Sequence, residues 1–123
     1  DYGGGFASVR SILNRLDADP YDGILIRFKG DGKRYQLRLR QGDRMDGVAY
    51  FRHFETKIGE WEEVFLPFHS FQASYRGRRL PDYPKLDTSR ISQLGLMISD
   101  KQEGNFRLEV QRIALYFNEH FQT

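Results

Sequence analysis

Histidines, carboxylates and glycine loops are the residues of this chain that could do chemistry, and none of them forms a recognisable set. The three histidines, His53, His69 and His120, have no i, i+2 or i, i+4 spacing and no HExxH pattern. His53 stands two residues before Glu55 on an alternating run, a pairing that polar strand faces acquire without any chemical role. Ser70 follows His69, yet no G-x-S-x-G elbow surrounds it, so nucleophilic hydrolysis has no motif. Carboxylates are frequent, among them Glu55, Glu60, Glu62, Glu63, Asp82, Asp87, Asp100, Glu103 and Glu109. A glycosidase needs two of them opposed at roughly 5–10 Å, and nothing in their spacing selects a pair. Cysteine is absent, which removes thiolate nucleophiles, disulfides, iron–sulfur clusters and Cys-ligated zinc. Gly3-Gly4-Gly5 and Gly30-Asp31-Gly32 lack both the following helix and the Gly-Lys-Ser/Thr of a phosphate loop. No catalytic residue, metal ligand or cofactor is assigned.

The basic residues are more organised. Arg27, Lys29, Arg38 and Arg40 fall on the polar positions of two alternating runs joined by Asp31-Gly32. They are expected to project from one side of one sheet as polar-face ligand contacts. Arg76, Arg78 and Arg79 lie in the Gln72–Asp87 segment, interleaved with Tyr75 and Tyr83. Arg beside Tyr with little Lys is the composition of a protein–protein hot spot, and it also suits stacking on sugars. Tyr75, Arg76, Arg78, Arg79 and Tyr83 are therefore the candidate partner-binding residues. The segment carries four basic residues against two acidic ones, which points to an acidic protein surface. The competing reading is a strut, in which Arg76 or Arg78 pairs with Asp82, Asp87 or Asp100 to hold the loop down.

The elements that must position these side chains follow from a period of two. Ile24, Ile26 and Phe28 alternate with Leu25, Arg27 and Lys29; Tyr35, Leu37 and Leu39 alternate with Gln36, Arg38 and Arg40. Val64, Leu66 and Phe68 repeat the pattern, as do Leu94, Leu96 and Ile98, and Phe106, Leu108 and Val110. Such runs are half-buried strands. Residues 48–55 and Phe6–Ser11 are weaker strand candidates. The pattern restarts at Ile113, Leu115 and Phe117, which a bulge at Gln111 and Arg112 explains. Gly30-Asp31-Gly32-Lys33 is expected to be a tight hairpin, and Ser99–Asn105 a second one. The one helical candidate is Ser11–Asp17. Gln72–Asp87, with Pro81 and Pro84, has no period and reads as a long functional loop.

These runs predict an all-β fold, an antiparallel β-sandwich, with Ile24, Ile26, Phe28, Leu37, Leu39, Val64, Leu66, Leu96, Ile98, Leu108 and Val110 in the core. At 123 residues the chain is one domain, 1–123, with 39% hydrophobic and 29% charged residues, the composition of a folded protein. A net charge of +2 falls far short of a nucleic-acid footprint, although the pI is near 9.0. No apolar run reaches the ~18 residues of a membrane span, and no signal or transit pattern opens the chain.

Six segments, in order, carry a resemblance to a known family. They are Gly4-Gly5-Phe6-Ala7-Ser8-Val9-Arg10, Gly30-Asp31-Gly32-Lys33 with Tyr35, and Phe54-Glu55-Thr56. Gly59-Glu60-Trp61 leading into Val64-Phe65-Leu66-Pro67-Phe68 follows, then Tyr75-Arg76-Gly77-Arg78. The last is Gly95-Leu96-Met97-Ile98-Ser99-Asp100-Lys101, with Gly104 and Phe106-Arg107-Leu108-Glu109-Val110 after it. Over nearly its whole length the chain resembles the complex I intermediate-associated protein 30 family, closer to its bacterial members. The resemblance implies a galactose-binding-domain-like jelly roll and a non-catalytic, chaperone-like binding module. The mitochondrial member of the family acts in assembling the NADH:ubiquinone oxidoreductase. A protein partner, such as an assembly intermediate of a respiratory complex, is expected, and a glycan bound as by jelly-roll carbohydrate-binding modules is the alternative. Family domains open with further residues before the Gly-Gly-Phe strand, so this chain is expected to lack N-terminal strands. It should then associate, or be covered, along an exposed strand edge. A bacterial cytoplasmic location is expected, with the mitochondrial matrix and the periplasm left open.

Overall fold

The computed structural model describes residues 8–42, 47–99 and 106–117, with backbone alone over 8–16. Among the described residues nine strands run in chain order: β1 (Ser8–Leu16), β2 (Gly23–Lys29), β3 (Arg34–Gln41), β4 (Ala49–Glu55), β5 (Trp61–Pro67), β6 (Gln72–Tyr75), β7 (Arg78–Arg79), β8 (Ile91–Ile98) and β9 (Glu109–Tyr116). They form a six-stranded sheet in the order β1-β8-β3-β4-β6-β7 and a three-stranded sheet in the order β5-β2-β9. Every strand pair is antiparallel. The architecture is the expected all-β sandwich.

Alternation sets which side chains meet between the sheets. Ile24, Ile26 and Phe28 of β2 are buried against Tyr35, Leu37 and Leu39 of β3, with Tyr50, Phe54, Leu66, Ile91 and Ile98 closing the core. Fully burying a side chain of this size stabilises the fold by roughly 1.5–3 kcal/mol before entropy is counted. Of the expected core, Val64, Leu96 and Leu108 are partly buried against this cluster. Val110 is a correction: it lies on an outer strand and is 38% exposed.

Both expected hairpins are also corrected, because their flanking strands belong to different sheets. Gly30–Lys33 carries the chain from β2 in the smaller sheet to β3 in the larger one, and residues 99–108 return it from β8 to β9. The first crossing is a built arch. Gly32 takes a φ of +90°, Thr56 Oγ1 accepts from Gly32 N at 3.0 Å, and Thr56 donates to Lys33 O at 2.8 Å. A Cβ on Gly30 would stand 2.3 Å from that of Thr56, so the close approach requires glycine.

Three further readings change. Ser11–Leu16 is part of strand β1 rather than a helix, paired to β8 from Ser8 opposite Met97 to Leu16 opposite Ile91. Partnership with β8 overrides a weak local preference. Residues 106–108 precede β9 rather than belonging to it. The slip near Gln111 is present: Arg27 faces Arg112 while Phe28 faces Val110. Gln72–Asp87 is only partly irregular, since it contains β6 and β7. Asp100, Glu103 and His120 lie outside the described residues.

Candidate functional site

The β6–β7 hairpin turns through Arg76 and Gly77, with φ of 50° and 81°. Two consecutive positive φ angles are those of a type I′ turn, whose first position favours Asn or Gly over a long side chain. Arg76 there costs of order 1 kcal/mol or more. Its guanidinium stands 5.4 Å from the centre of the Tyr75 ring. Arg78 and Arg79 are exposed, with Arg78 opposite Tyr75 and Arg79 opposite Ser74. Strand alternation therefore sends them to opposite sides of the sheet. Beyond them Leu80 N donates to Ala73 O and Tyr83 N to Leu80 O, which folds the following loop back on β6. The Tyr83 ring meets buried Tyr50 edge-on at 6.4 Å, and the Tyr50 hydroxyl donates to Pro84 O at 2.8 Å. Burial first, then the charges of Tyr83 and Asp87, push the Tyr50 hydroxyl up. Tyr75 and Tyr83 stay 41% and 46% exposed.

Among the described residues none of Arg76, Arg78 and Arg79 makes an ion pair. Asp87, one of the carboxylates considered as a strut, is engaged elsewhere. It caps the 3-10 turn Thr88–Arg90, accepting from Ser89 N at 3.1 Å and Ser89 Oγ at 2.6 Å. Those two hydrogen bonds hold its carboxyl below the usual value, with Arg90 adding a smaller pull.

The other basic set is divided, which corrects the expectation of one shared face. Because β2 and β3 lie in different sheets with their apolar positions facing each other, Arg27 and Lys29 leave one outer surface and Arg38 and Arg40 the opposite one. On the smaller sheet Arg27 and Lys29 each stand 5.4 Å from the centre of the Trp61 ring, which is 42% exposed. Arg27 Nε donates to Gln111 Oε1 at 2.6 Å, and Arg112 pairs with Glu63 at 3.3 Å. Further along, Phe65 and Tyr116 meet at 6.0 Å. Trp61 as the partner of Arg27 and Lys29 was missed from sequence, since only the β2–β5 register places Lys29 opposite Trp61.

On the larger sheet Arg38 NH1 donates to Gln36 Oε1 at 2.6 Å, Gln36 Nε2 donates to Ser99 Oγ at 3.4 Å, and His53 Nδ1 meets the same Ser99 Oγ at 2.9 Å. His53 thus joins a hydrogen-bonded row rather than a catalytic set with Glu55. Arg40 NH1 donates to Gly47 O at 2.7 Å. Among the described residues no group of three His, Asp or Glu is placed to hold a metal ion. No helix among them is long and apolar enough to cross a membrane.

A family model for complex I intermediate-associated protein 30 matches residues 1–110. The mitochondrial protein of that name from Mus musculus is 29% identical over 104 residues, covering 81% of this chain and 32% of that protein. Its Drosophila melanogaster counterpart is 25% identical over 128 residues, covering 93% of this chain and 43% of that protein. The chain thus spans about a third to two fifths of the length of these curated relatives. A family 11 carbohydrate-binding module from Clostridium thermocellum, solved with a β-1,3-1,4-mixed-linked tetrasaccharide, superposes with a TM-score of 0.71. It is 18% identical, and the match covers 91% of this chain and 68% of that chain. At that identity the likeness is one of fold.

Proposed function

The chain belongs to the complex I intermediate-associated protein 30 family, and we propose that it is a non-catalytic binding module whose contacts are with other proteins. The observation that carries this reading is the β6–β7 hairpin, where an arginine in a strained left-handed turn is displayed on an exposed tyrosine at a sheet edge. Strain of this kind is kept where a side chain must be presented, and Tyr and Arg are the residue types of binding hot spots. Tyr75, Arg76, Arg78, Arg79 and Tyr83 form the proposed contact, with an assembly intermediate of the respiratory NADH:ubiquinone oxidoreductase as the partner. The cysteine-free sequence suits a reducing compartment, the bacterial cytoplasm or the mitochondrial matrix. Cross-linking of the tagged full-length protein in its native host, followed by mass spectrometry, tests it. Subunits of that complex are expected among the products, and Tyr75→Ala with Arg78→Ala should remove them at unchanged Tm. Products without such subunits, or a variant that retains them, would overturn the reading.

The exposed Trp61 ring, flanked by Arg27 and Lys29 on the outer side of the smaller sheet, favours a second reading as a carbohydrate-binding module. Trp61 is the single tryptophan, so its fluorescence reports directly on a mixed-linked β-glucan tetrasaccharide. A saturable change supports the glycan, and none up to millimolar sugar sinks it.

A further inference from the structure

The outer side of the smaller sheet gathers an aromatic ring, two cations and several hydrogen-bonding groups. The β2–β5 register sets Lys29 opposite Trp61 and Arg27 opposite Glu63. On the other flank Lys29 faces Glu109 and Arg27 faces Arg112. The bulge in β9 adds one more side chain to this surface, Gln111, whose Oε1 accepts from Arg27 Nε. Arg27 and Lys29 are half-buried, and both charged ends stand at the exposed indole.

The carboxylates of this surface are engaged with other cations. Glu63 pairs with Arg112 at 3.3 Å, and Glu109 with Arg107 at 3.9 Å. Glu62 belongs to the opposite side of β5, where it accepts from Lys57 N at 2.8 Å, and exposed Glu60 lies in the loop before the strand. Among the described residues neither Arg27 nor Lys29 makes an ion pair. Lys29 Nζ has only the indole as its partner there, and Arg27 donates through Nε alone, so its two terminal nitrogens keep their donors. A cation–π contact at an exposed site is weaker than a charge-assisted hydrogen bond. An anion therefore draws both cations from the ring and leaves the indole to the group that carries it. That group needs an apolar face for the indole, and hydroxyls for Gln111 Nε2, Glu63 and Glu109. A pyranose ring with a carboxylate offers both, along with the anion. A phosphate fits less well: β2 is paired on both sides, so it has no free row of N–H groups to cradle one, and a second negative charge meets Glu63 and Glu109.

We infer that Trp61, Arg27 and Lys29 form a subsite for a uronic acid, a sugar ring that carries one carboxylate. This rests on the carbohydrate-binding reading and names the class of sugar. Trp61 stacks on the apolar face of the ring, and Arg27 and Lys29 take the carboxylate.

The test titrates the full chain with a β-1,4-linked tetrasaccharide of glucuronic acid, beside the same tetrasaccharide of glucose, which has CH2OH in place of each carboxylate. Trp61 fluorescence reads both, since it is the single tryptophan. The uronate should bind about tenfold more tightly or more, the worth of one charge-assisted contact. That margin should shrink as salt is raised. Arg27→Gln with Lys29→Gln should bring the two sugars to equal affinity. Lys85→Gln removes a charge from an exposed loop residue elsewhere and should leave the margin unchanged. Lys29→Gln alone, at a side chain with no hydrogen bond among the described residues, should lose most of the margin and keeps the test decisive if the double variant fails to fold. Equal affinity for both sugars in the unaltered chain, or a margin that survives these substitutions, overturns the inference while the carbohydrate-binding reading stands. If neither sugar binds, both fall. Equal binding of poly-L-glutamate would show that charge suffices without a sugar ring, and equal binding of ATP would make the ligand a nucleotide; either result overturns the inference.

Discussion

Asp31 ties the two sheets together through one carboxylate. It accepts from Lys33 N at 3.1 Å, from the Tyr35 hydroxyl at 3.0 Å, and from Arg107 N at 2.7 Å just ahead of β9. Asp31→Ala would leave the hydroxyl of buried Tyr35 without that acceptor, and should cost about 2 kcal/mol. A lower urea midpoint at unchanged slope is the expected result, and Asp31→Asn should lose less because it keeps an acceptor. The same contact makes stability sensitive to base. Burial first, then the hydrogen bond to Asp31, push the Tyr35 hydroxyl well above its ordinary 10.0. Above pH 10 the unfolded chain releases this proton while the folded one keeps it, so the stabilising contribution is full below that pH and is lost as pH rises. In Tyr35→Phe the alkaline decline should become shallower, with a lower Tm at pH 7. A decline of unchanged slope would show that Tyr35 is not its source.

At the scale of elements, the β6–β7 hairpin carries an opposition between stability and display. Arg76→Asn puts a residue tolerant of positive φ into the first turn position and should raise stability by about 0.5–1 kcal/mol. Gly77→Ala, at a φ of 81°, should lower it by about 1 kcal/mol. If Arg76→Asn melts higher yet captures less partner, the strain is retained for binding. A variant that melts higher and binds as before assigns Arg76 no part in it. The β9 strand shows how one residue changes a surface. The register shift at Gln111 leaves Arg112 facing Arg27 on the outside while Ile113 and Leu115 face Ile26 and Ile24. Without the bulge one half of the strand would present its polar side to the core.

At the scale of the molecule, six strands face three among the described residues. In the smaller sheet β9 pairs with β2 alone, so its other edge has no partner strand among the described residues. Val110 on that strand is 38% exposed, although its register partner Phe28 is buried. An open edge beside apolar side chains favours strand addition. The 123-residue chain should therefore self-associate as concentration rises. Val110→Lys, which puts a charge beside that edge, should keep it monomeric with little change in Tm. Sedimentation that reports a monomer for both chains at high concentration would show that the edge is not adhesive.

What the amino-acid sequence determined is the local alternation. The positions of Ile24, Ile26, Phe28, Leu37 and Leu39 defined two strands and their buried sides, and the phase slip near Gln111 was legible because period two fails there. Six short motifs were enough to indicate the family. The partner of each strand was decided only by tertiary structure. Gly30-Asp31-Gly32-Lys33 supplies the positive φ that a tight turn needs, yet an arch between sheets needs the same freedom. What chooses the arch is nonlocal: Thr56 clasps the turn, Asp31 reaches Tyr35 and the chain before β9, and β8 takes the place beside β3. That choice sent Arg27 and Lys29 to one outer surface and Arg38 and Arg40 to the opposite one. Side-chain direction along a strand is fixed by backbone geometry, whereas the neighbour across the ladder is fixed by which apolar surfaces pack.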